Sequence, residues 1–313
     1  MSKIIINGVD GNLGKQVVTD IINLIPKKNV ILTAPSDEPL QQYQKLGFKT
    51  AVIDFTHTET LDPVFKDADK VLLISMPFVG KKRRQAHKNV IDACVRANVK
   101  QIIYTSVLSS ANPLNPSVEN IDHGYTEALI QNSPLDYIIL RNSLFAEAFI
   151  SDYLRAVNNH ETVINKNMGT GCVWFISRKD AALAIAFALN NTLLHRAILN
   201  INGITPYSYQ DFLNIANKVT GANIKYKQIT DQELYQYFDS IHVPRTTDGD
   251  FSKSPIQATT EGMVSFGTTV REGFLDVPVS DFVQLTGHQP ITMKYMFEHQ
   301  DDFLLGERHT TEK

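Results

Sequence analysis

Cysteine is almost absent: Cys94 and Cys172 are the two in 313 residues. Two are too few for a disulfide framework or a cysteine-built zinc site. Charge of one sign is also lacking. The formal net charge is -3, so nothing supplies the positive field that usually drives nucleic-acid binding. Long apolar runs are missing too. The longest, 71–74 and 181–189, are about half a membrane-spanning helix or less, so no membrane segment is expected. The opening run 3–7 is far too short for a signal h-region, which makes the cytoplasm the expected compartment. With 16 Gly and 13 Pro, low-complexity and collagen-like chains are excluded. What remains is 43% hydrophobic and 20% charged, with a mean hydropathy of -0.15. That describes a globular chain of about two domains, or one large α/β unit with an appended lobe.

The first half alternates short β-branched runs with amphipathic stretches. Strands are expected at 3–7, 30–33, 50–53, 70–75, 101–105 and 137–140, and helices at 12–25, 38–46, 59–66, 81–97 and 119–131. Runs such as Val71-Leu72-Leu73-Ile74 are apolar throughout, as central parallel strands buried on both faces must be. Repeated βα units favour an open, doubly wound sheet with right-handed crossovers. The second half is less regular. Helices are expected at 178–189 and 208–220, a strand at 197–201, and a capping box at Thr230-Asp231-Gln232-Glu233 before another helix. From 243 to 269 the pattern dissolves into Pro, Thr, Ser, Gly and Asp, which reads as a substrate-facing loop or a plain connector. Helix is expected again at 279–285 and 291–305.

The first strand runs into Gly8-Val9-Asp10-Gly11-Asn12-Leu13-Gly14 and then a helix. Gly8 suits a tight strand-to-helix turn, Gly11 lets a pyrophosphate approach the backbone, and Gly14 lets helix and strand pack closely. The anion would meet free N–H groups and the dipole at the helix N-terminus. The spacing G-x-x-G-x-x-G resembles the extended and atypical branches of the short-chain dehydrogenase/reductase superfamily. Val9-Asp10 departs from the usual Ala-Thr and sets an acidic side chain beside the phosphate loop. Members of that superfamily pair a Ser/Thr after the fifth strand with Tyr-x-x-x-Lys on the next helix, the lysine lowering the tyrosine pKa. Here Thr105 and Ser106 supply the hydroxyls, but His123 and Glu127 stand in the Tyr and Lys register. A glutamate raises a tyrosine pKa instead. Tyr125 has Leu129 four residues on, so ordinary alcohol dehydrogenase and sugar epimerase chemistry is disfavoured.

His123-x-x-Thr126-Glu127, then Leu140-Arg141-Asn142-Ser143-Leu144-Phe145, resembles the NmrA-like atypical short-chain dehydrogenases. Within them the likeness is to the NAD(P)H:quinone oxidoreductase and triphenylmethane reductase type. Further matching pieces are Leu73-Ile74-Ser75, the run 87–93, Asn98-Val99-Lys100, and 177–182. The resemblance implies a Rossmann-like doubly wound parallel sheet with a smaller, mostly C-terminal α/β substrate lobe. It divides the chain into a dinucleotide-binding domain at 1–155, with a returning segment near 178–202, and a substrate lobe from 156–177 and 203–313.

By the same resemblance the cofactor is NADP(H), held by Gly8, Val9, Asp10, Gly11, Asn12 and Leu13. Pro35 and Ser36 would sit at the ribose, and Asp54 and Phe55 beside the adenine. Ser75, Met76, Pro77, Thr105, Ser106, Arg141, Asn142 and Leu144 would complete the site. His123 and Asn142 are the catalytic candidates near nicotinamide or substrate. Phe145, Phe149 and Trp174 are the candidates for an apolar wall against a planar ring. Family members usually carry Arg where Pro35 stands, and its loss removes a bidentate phosphate fork, leaving NAD(H) open. Asp37 and Glu38 read either as ribose 2′-hydroxyl acceptors or as an acidic first helical turn.

Two function classes follow: a reductase passing hydride to a quinone or similar planar acceptor, or a non-catalytic dinucleotide sensor that binds a regulatory partner. A sugar epimerase or dehydratase relative is a weaker third. Lys81-Lys82-Arg83-Arg84 reads as a solvated helix face. Cys94 reads as inert core. His195, His242, His288 and His299 are scattered without ligand spacing, so no metal is expected.

Overall fold

The computed structural model describes residues 3–110, 112–256 and 258–304. The chain opens β1 (Ile4–Asn7), α1 (Asn12–Ile21), β2 (Val30–Ala34), α2 (Gln41–Lys45), β3 (Lys49–Val52), α3 (Leu61–Phe65), β4 (Lys70–Leu73) and α4 (Lys81–Arg96). It continues β5 (Gln101–Val107), α5 (Val118–Gln131), β6 (Asp136–Asn142), α6 (Ala146–Asn158), β7 (Val163–Lys166), β8 (Cys172–Val173), α7 (Arg178–Asn190) and β9 (Ala197–Ile201). The remainder is β10 (Tyr207–Ser208), α8 (Tyr209–Thr220), β11 (Lys225–Gln228), α9 (Asp231–Ser240), α10 (Thr260–Arg271), α11 (Phe282–Thr286) and α12 (Met293–Glu298).

Seven parallel strands form the central sheet in the order β3-β2-β1-β4-β5-β6-β9. This is the Rossmann-like α/β fold. Successive side chains point to opposite faces. Ile4, Ile6, Leu72, Ile103 and Ile138 therefore pack under α1 and the alanine-rich α7. Ile5, Val71, Leu73, Ile102 and Ile139 pack under α3, α4 and α5, with Cys94 fully buried among them. Both faces are covered, which is why these strands read as unbroken apolar runs.

A second core gathers α6, α8 and α12 around Phe149, Ile150, Tyr153, Phe212, Met296 and Phe297. Two short strand pairs accompany it, β11 with β7 in parallel and β10 with β8 antiparallel. Neither pair carries a strong strand signal in its residues. The irregular 243–269 stretch, expected as a loop or connector, is helical from Thr260, where α10 begins and runs on to Arg271. Gly267 of that helix does not weaken it but lets it dock: a β-carbon there would lie 1.7 Å from Asn167 Oδ1. The expected helices at 279–285 and 291–305 contract to α11 and α12, with a 3₁₀ turn at Gln300–Phe303. Residue 305 lies outside the described residues.

Candidate functional site

The strand order turns back between β1 and β4, and open α/β sheets bind ligands outside the carboxyl ends of strands at such a point. The glycine loop occupies it. Gly8 has φ +75°, a conformation costly for other residues. The Gly8 and Val9 amides both donate to the Thr33 carbonyl, at 3.0 and 3.2 Å, which staples the loop to the carboxyl end of β2. At Gly14 a β-carbon would lie 2.1 Å from the Gly8 carbonyl oxygen, so helix and loop touch backbone to backbone. Gly11 differs. It has φ -79°, and a β-carbon there would meet Gly8 O at an ordinary 3.5 Å. Nothing inside the protein forbids a side chain at 11; its bare surface faces outward.

Helix α1 starts at Gly11 with no side-chain cap. The long helices α4 and α6 start the same way, whereas α5, α7, α8, α9, α10 and α12 are each capped by a Ser or Thr hydroxyl. The first amides of α1 thus lack a side-chain acceptor. Unpartnered buried polar atoms also collect at this edge of the sheet. They are Asn7 Nδ2 at the end of β1, Asn142 Oδ1 and Ser143 Oγ at β6, Asn202 Oδ1 after β9, and Glu147 Oε2 in the first turn of α6. Buried polar atoms without partners are costly, and their position here fits a ligand with many polar groups.

A family model described as NAD(P)H-binding matches residues 8–192. The chain belongs to the NAD(P)H-binding family. Quinone oxidoreductase 2 of Escherichia coli is 24% identical over 297 residues, covering 95% of this chain and 98% of the relative. An NmrA-like family domain-containing oxidoreductase of Aspergillus flavus is 25% identical, also over 297 residues, with 92% and 91% covered. Among solved structures, the E. coli NADPH-dependent quinone oxidoreductase with NADPH superposes with a TM-score of 0.85 at 22% identity, covering 95% of this chain and 99% of that one. The triphenylmethane reductase of Citrobacter sp. with NADP(H) gives 0.82 at 23% identity, with the same coverage.

Within this NAD(P)H-binding fold, the loop after β4 is held from behind. Ser75 N donates to Thr105 Oγ1 at 2.9 Å, and Met76 N donates to His87 Nε2 at 3.1 Å. Arg83 Nε donates to the Met76 carbonyl at 2.9 Å and Nη2 to that of Pro77 at 3.3 Å. His87 accepts at Nε2, so its proton is on Nδ1, 3.0 Å from Thr126 Oγ1. Burial, reinforced by the Arg83 charge, pushes its pKa down to about 3. Arg83 and His87 were not among the expected site residues. Their signal was a His and an Arg four apart on a buried helix face. The expectation of a solvated Lys81–Arg84 run is corrected accordingly: Lys81 and Lys82 are exposed, while Arg83 is buried and Arg84 bonds Asp122 at 2.8 Å.

His123 lies inside as well. Its Nδ1 shares a 2.6 Å hydrogen bond with Tyr104 Oη, and burial with the Arg83 charge lowers its pKa well below the ordinary value. Glu127, 1% exposed at its side chain, takes a bidentate bond from Arg141 at 2.9 and 2.6 Å. It also accepts from Ser106 Oγ at 2.6 Å and from Ser110 Oγ. The guanidinium of Arg141 and the hydroxyl of Ser106 are therefore engaged within the protein. Tyr125 points outward, 38% exposed. Asn142 is buried and donates to the Leu140 carbonyl at 3.2 Å.

At the end of β2, Pro35 is exposed and Ser36 half-buried. Asp54 accepts from the Thr56 amide and hydroxyl and pairs with His57 at 3.0 Å. Burial opposes ionisation of that carboxyl, but these bonds prevail and hold it below its usual range. Phe55 is half-buried, and its carbonyl accepts from Asn89. The three aromatic candidates lie apart. Phe145 packs with the sheet core under the Arg178 guanidinium, 5.0 Å from the ring centre. Leu144 and Phe149 belong to the second core, where the Phe149 ring meets Phe175 at 4.8 Å. Trp174 is half-buried and donates Nε1–H to Asp276 at 2.7 Å. No ring contact joins the three among the described residues. In the same residues no group of His, Cys, Asp or Glu is arranged to hold a metal, and no helix is long and apolar enough to cross a membrane.

Proposed function

We propose that the chain is an NAD(P)H-dependent reductase passing hydride to a quinone or a similar planar conjugated acceptor. The observation that carries this reading is the cradle at residues 8–14, where backbone conformation calls for glycine at 8 and internal packing calls for it at 14, but neither does at 11. Gly11, Asn12 and Leu13 would present their amides to the pyrophosphate, with Gly8, Val9 and Asp10 forming the turn beneath it. Pro35 and Ser36 would meet the ribose, and Asp54 and Phe55 the adenine. The 75–77 loop, fixed by Thr105, His87 and Arg83, would run beside the dinucleotide. Asn142 would offer its unpartnered oxygen near the reacting end. The bound dinucleotide supplies the hydride. A quinone accepts it without prior protonation and takes its proton from solvent or a nearby hydrogen bonder, so the protein's contribution is mainly position and orientation. The sheet domain holds the dinucleotide in this reading, and the second lobe shapes the space for the acceptor. Steady-state oxidation of NADH and NADPH against a panel of benzoquinones and naphthoquinones tests the proposal. Turnover is expected, and its absence with every acceptor overturns it.

One observation favours a second reading, that of a dinucleotide sensor. The residues in the Tyr and Lys register are both engaged internally, His123 with Tyr104 and Glu127 with Arg141. Equal affinity for oxidised and reduced dinucleotide, without turnover, would support it.

A further inference from the structure

The loop that follows β1 is fastened to the β2 side of the site. Besides the two amides bonded to Thr33, Tyr43 of α2 donates its hydroxyl to the Val9 carbonyl at 3.0 Å. Asp10, the next residue, is half-buried there, and its charge, secondary to burial, helps raise the Tyr43 phenol to about 12. No side chain among the described residues donates a hydrogen bond to the Asp10 carboxylate, while Asp37 is engaged by Gln44 at 3.3 Å. The cation whose field reaches Asp10 is Lys15 of α1, and the β2 side offers none. From Val30 to Gln44 there is no Arg, Lys or His, and Pro35 is exposed at the end of β2. In dinucleotide folds that position faces the adenosine ribose, where a carboxylate suits a free 2′-hydroxyl and an arginine a 2′-phosphate.

We propose that the chain selects NADH over NADPH, with Asp10 as the discriminating residue; this rests on the dinucleotide reading above. The Asp10 carboxylate accepts hydrogen bonds from the ribose hydroxyls. A 2′-phosphate would bring a charge of about -1.5 to -2 against it with no guanidinium to compensate. The determinant therefore sits in the glycine loop rather than at the end of β2. Isothermal titration of the full chain with NADH and with NADPH tests this, alongside Asp10→Thr and Pro35→Arg. The expected result is NADH binding at least tenfold tighter in the wild type. Asp10→Thr should narrow that ratio by tenfold or more, chiefly by tightening NADPH, and adding Pro35→Arg should narrow it further. Equal or tighter NADPH binding by the wild type overturns the proposal and leaves the dinucleotide reading standing. So does an Asp10→Thr protein that keeps the wild-type ratio. If neither dinucleotide binds, this proposal and the reading beneath it both fall.

Discussion

The carboxyl ends of β1 and β5 use polar residues in opposite ways. At β1 the polar groups stay open: an uncapped helix start, a bare glycine surface, and an Asn7 Nδ2 with no protein partner. At β5 they close on each other: Tyr104 on His123, Ser106 on Glu127, Glu127 on Arg141. The β1 end is shaped for something outside the chain. The β5 end, where a typical short-chain dehydrogenase keeps its acid–base pair, has become an internal brace. The proposed hydride transfer to an electron-poor acceptor would tolerate that exchange, because it needs orientation more than a strong base.

Breaking the brace should have the largest effect. Arg141→Leu leaves Glu127 charged, buried and without its guanidinium, which should cost about 3–5 kcal/mol of stability in denaturant unfolding. A loss below about 1 kcal/mol would show that the β5 end is not braced by this pair. Next comes acid sensitivity. His87 is held neutral with its pKa at about 3, whereas an unfolded histidine titrates near 6.5. Its contribution is full above pH 6.5 and drains away as the pH falls toward 3. Between pH 6.5 and 5 this amounts to about 2 kcal/mol at most. His87→Gln keeps an acceptor for Met76 and should flatten that slope, leaving the share due to His123, which has the same sign. Unfolding curves across this pH range decide it, and an unchanged slope removes His87 from the account. The smallest effect is expected away from both strand ends. Trp174→Phe loses the 2.7 Å bond to Asp276, worth about 1 kcal/mol or less, with acceptor KM unchanged. A KM that rises severalfold would instead make Trp174 part of the acceptor wall.

What could be read from the sequence was local. The strands β1, β4 and β5 carry their burial in consecutive residues, and the glycine loop packs its geometry into seven positions. Helix α10 escaped notice because its Gly and Thr content opposes helix by propensity. Docking against Asn167, nearly a hundred residues earlier in the chain, supplies what propensity lacks. The pair β7 and β11 was invisible for a related reason, since Lys225-Tyr226-Lys227-Gln228 becomes a strand only beside residues about sixty positions away. At the site, the sequence located His123 and Glu127 but not their partners. Arg141 reaches Glu127 from a different element, and read alone it resembles a cofactor ligand.

The most direct test of the open β1 end is Gly11→Ala, followed by calorimetric titration with NADH. The backbone at 11 suits alanine, and its β-carbon would touch nothing closer than 3.5 Å. Stability should therefore change by about 1 kcal/mol or less, the gain from a stiffer unfolded chain opposing the poorer N-cap that alanine makes. Affinity for the dinucleotide should fall at least tenfold, because the methyl group stands where the proposed reading brings the pyrophosphate. An alanine variant that binds NADH as tightly as the wild type would contradict the account.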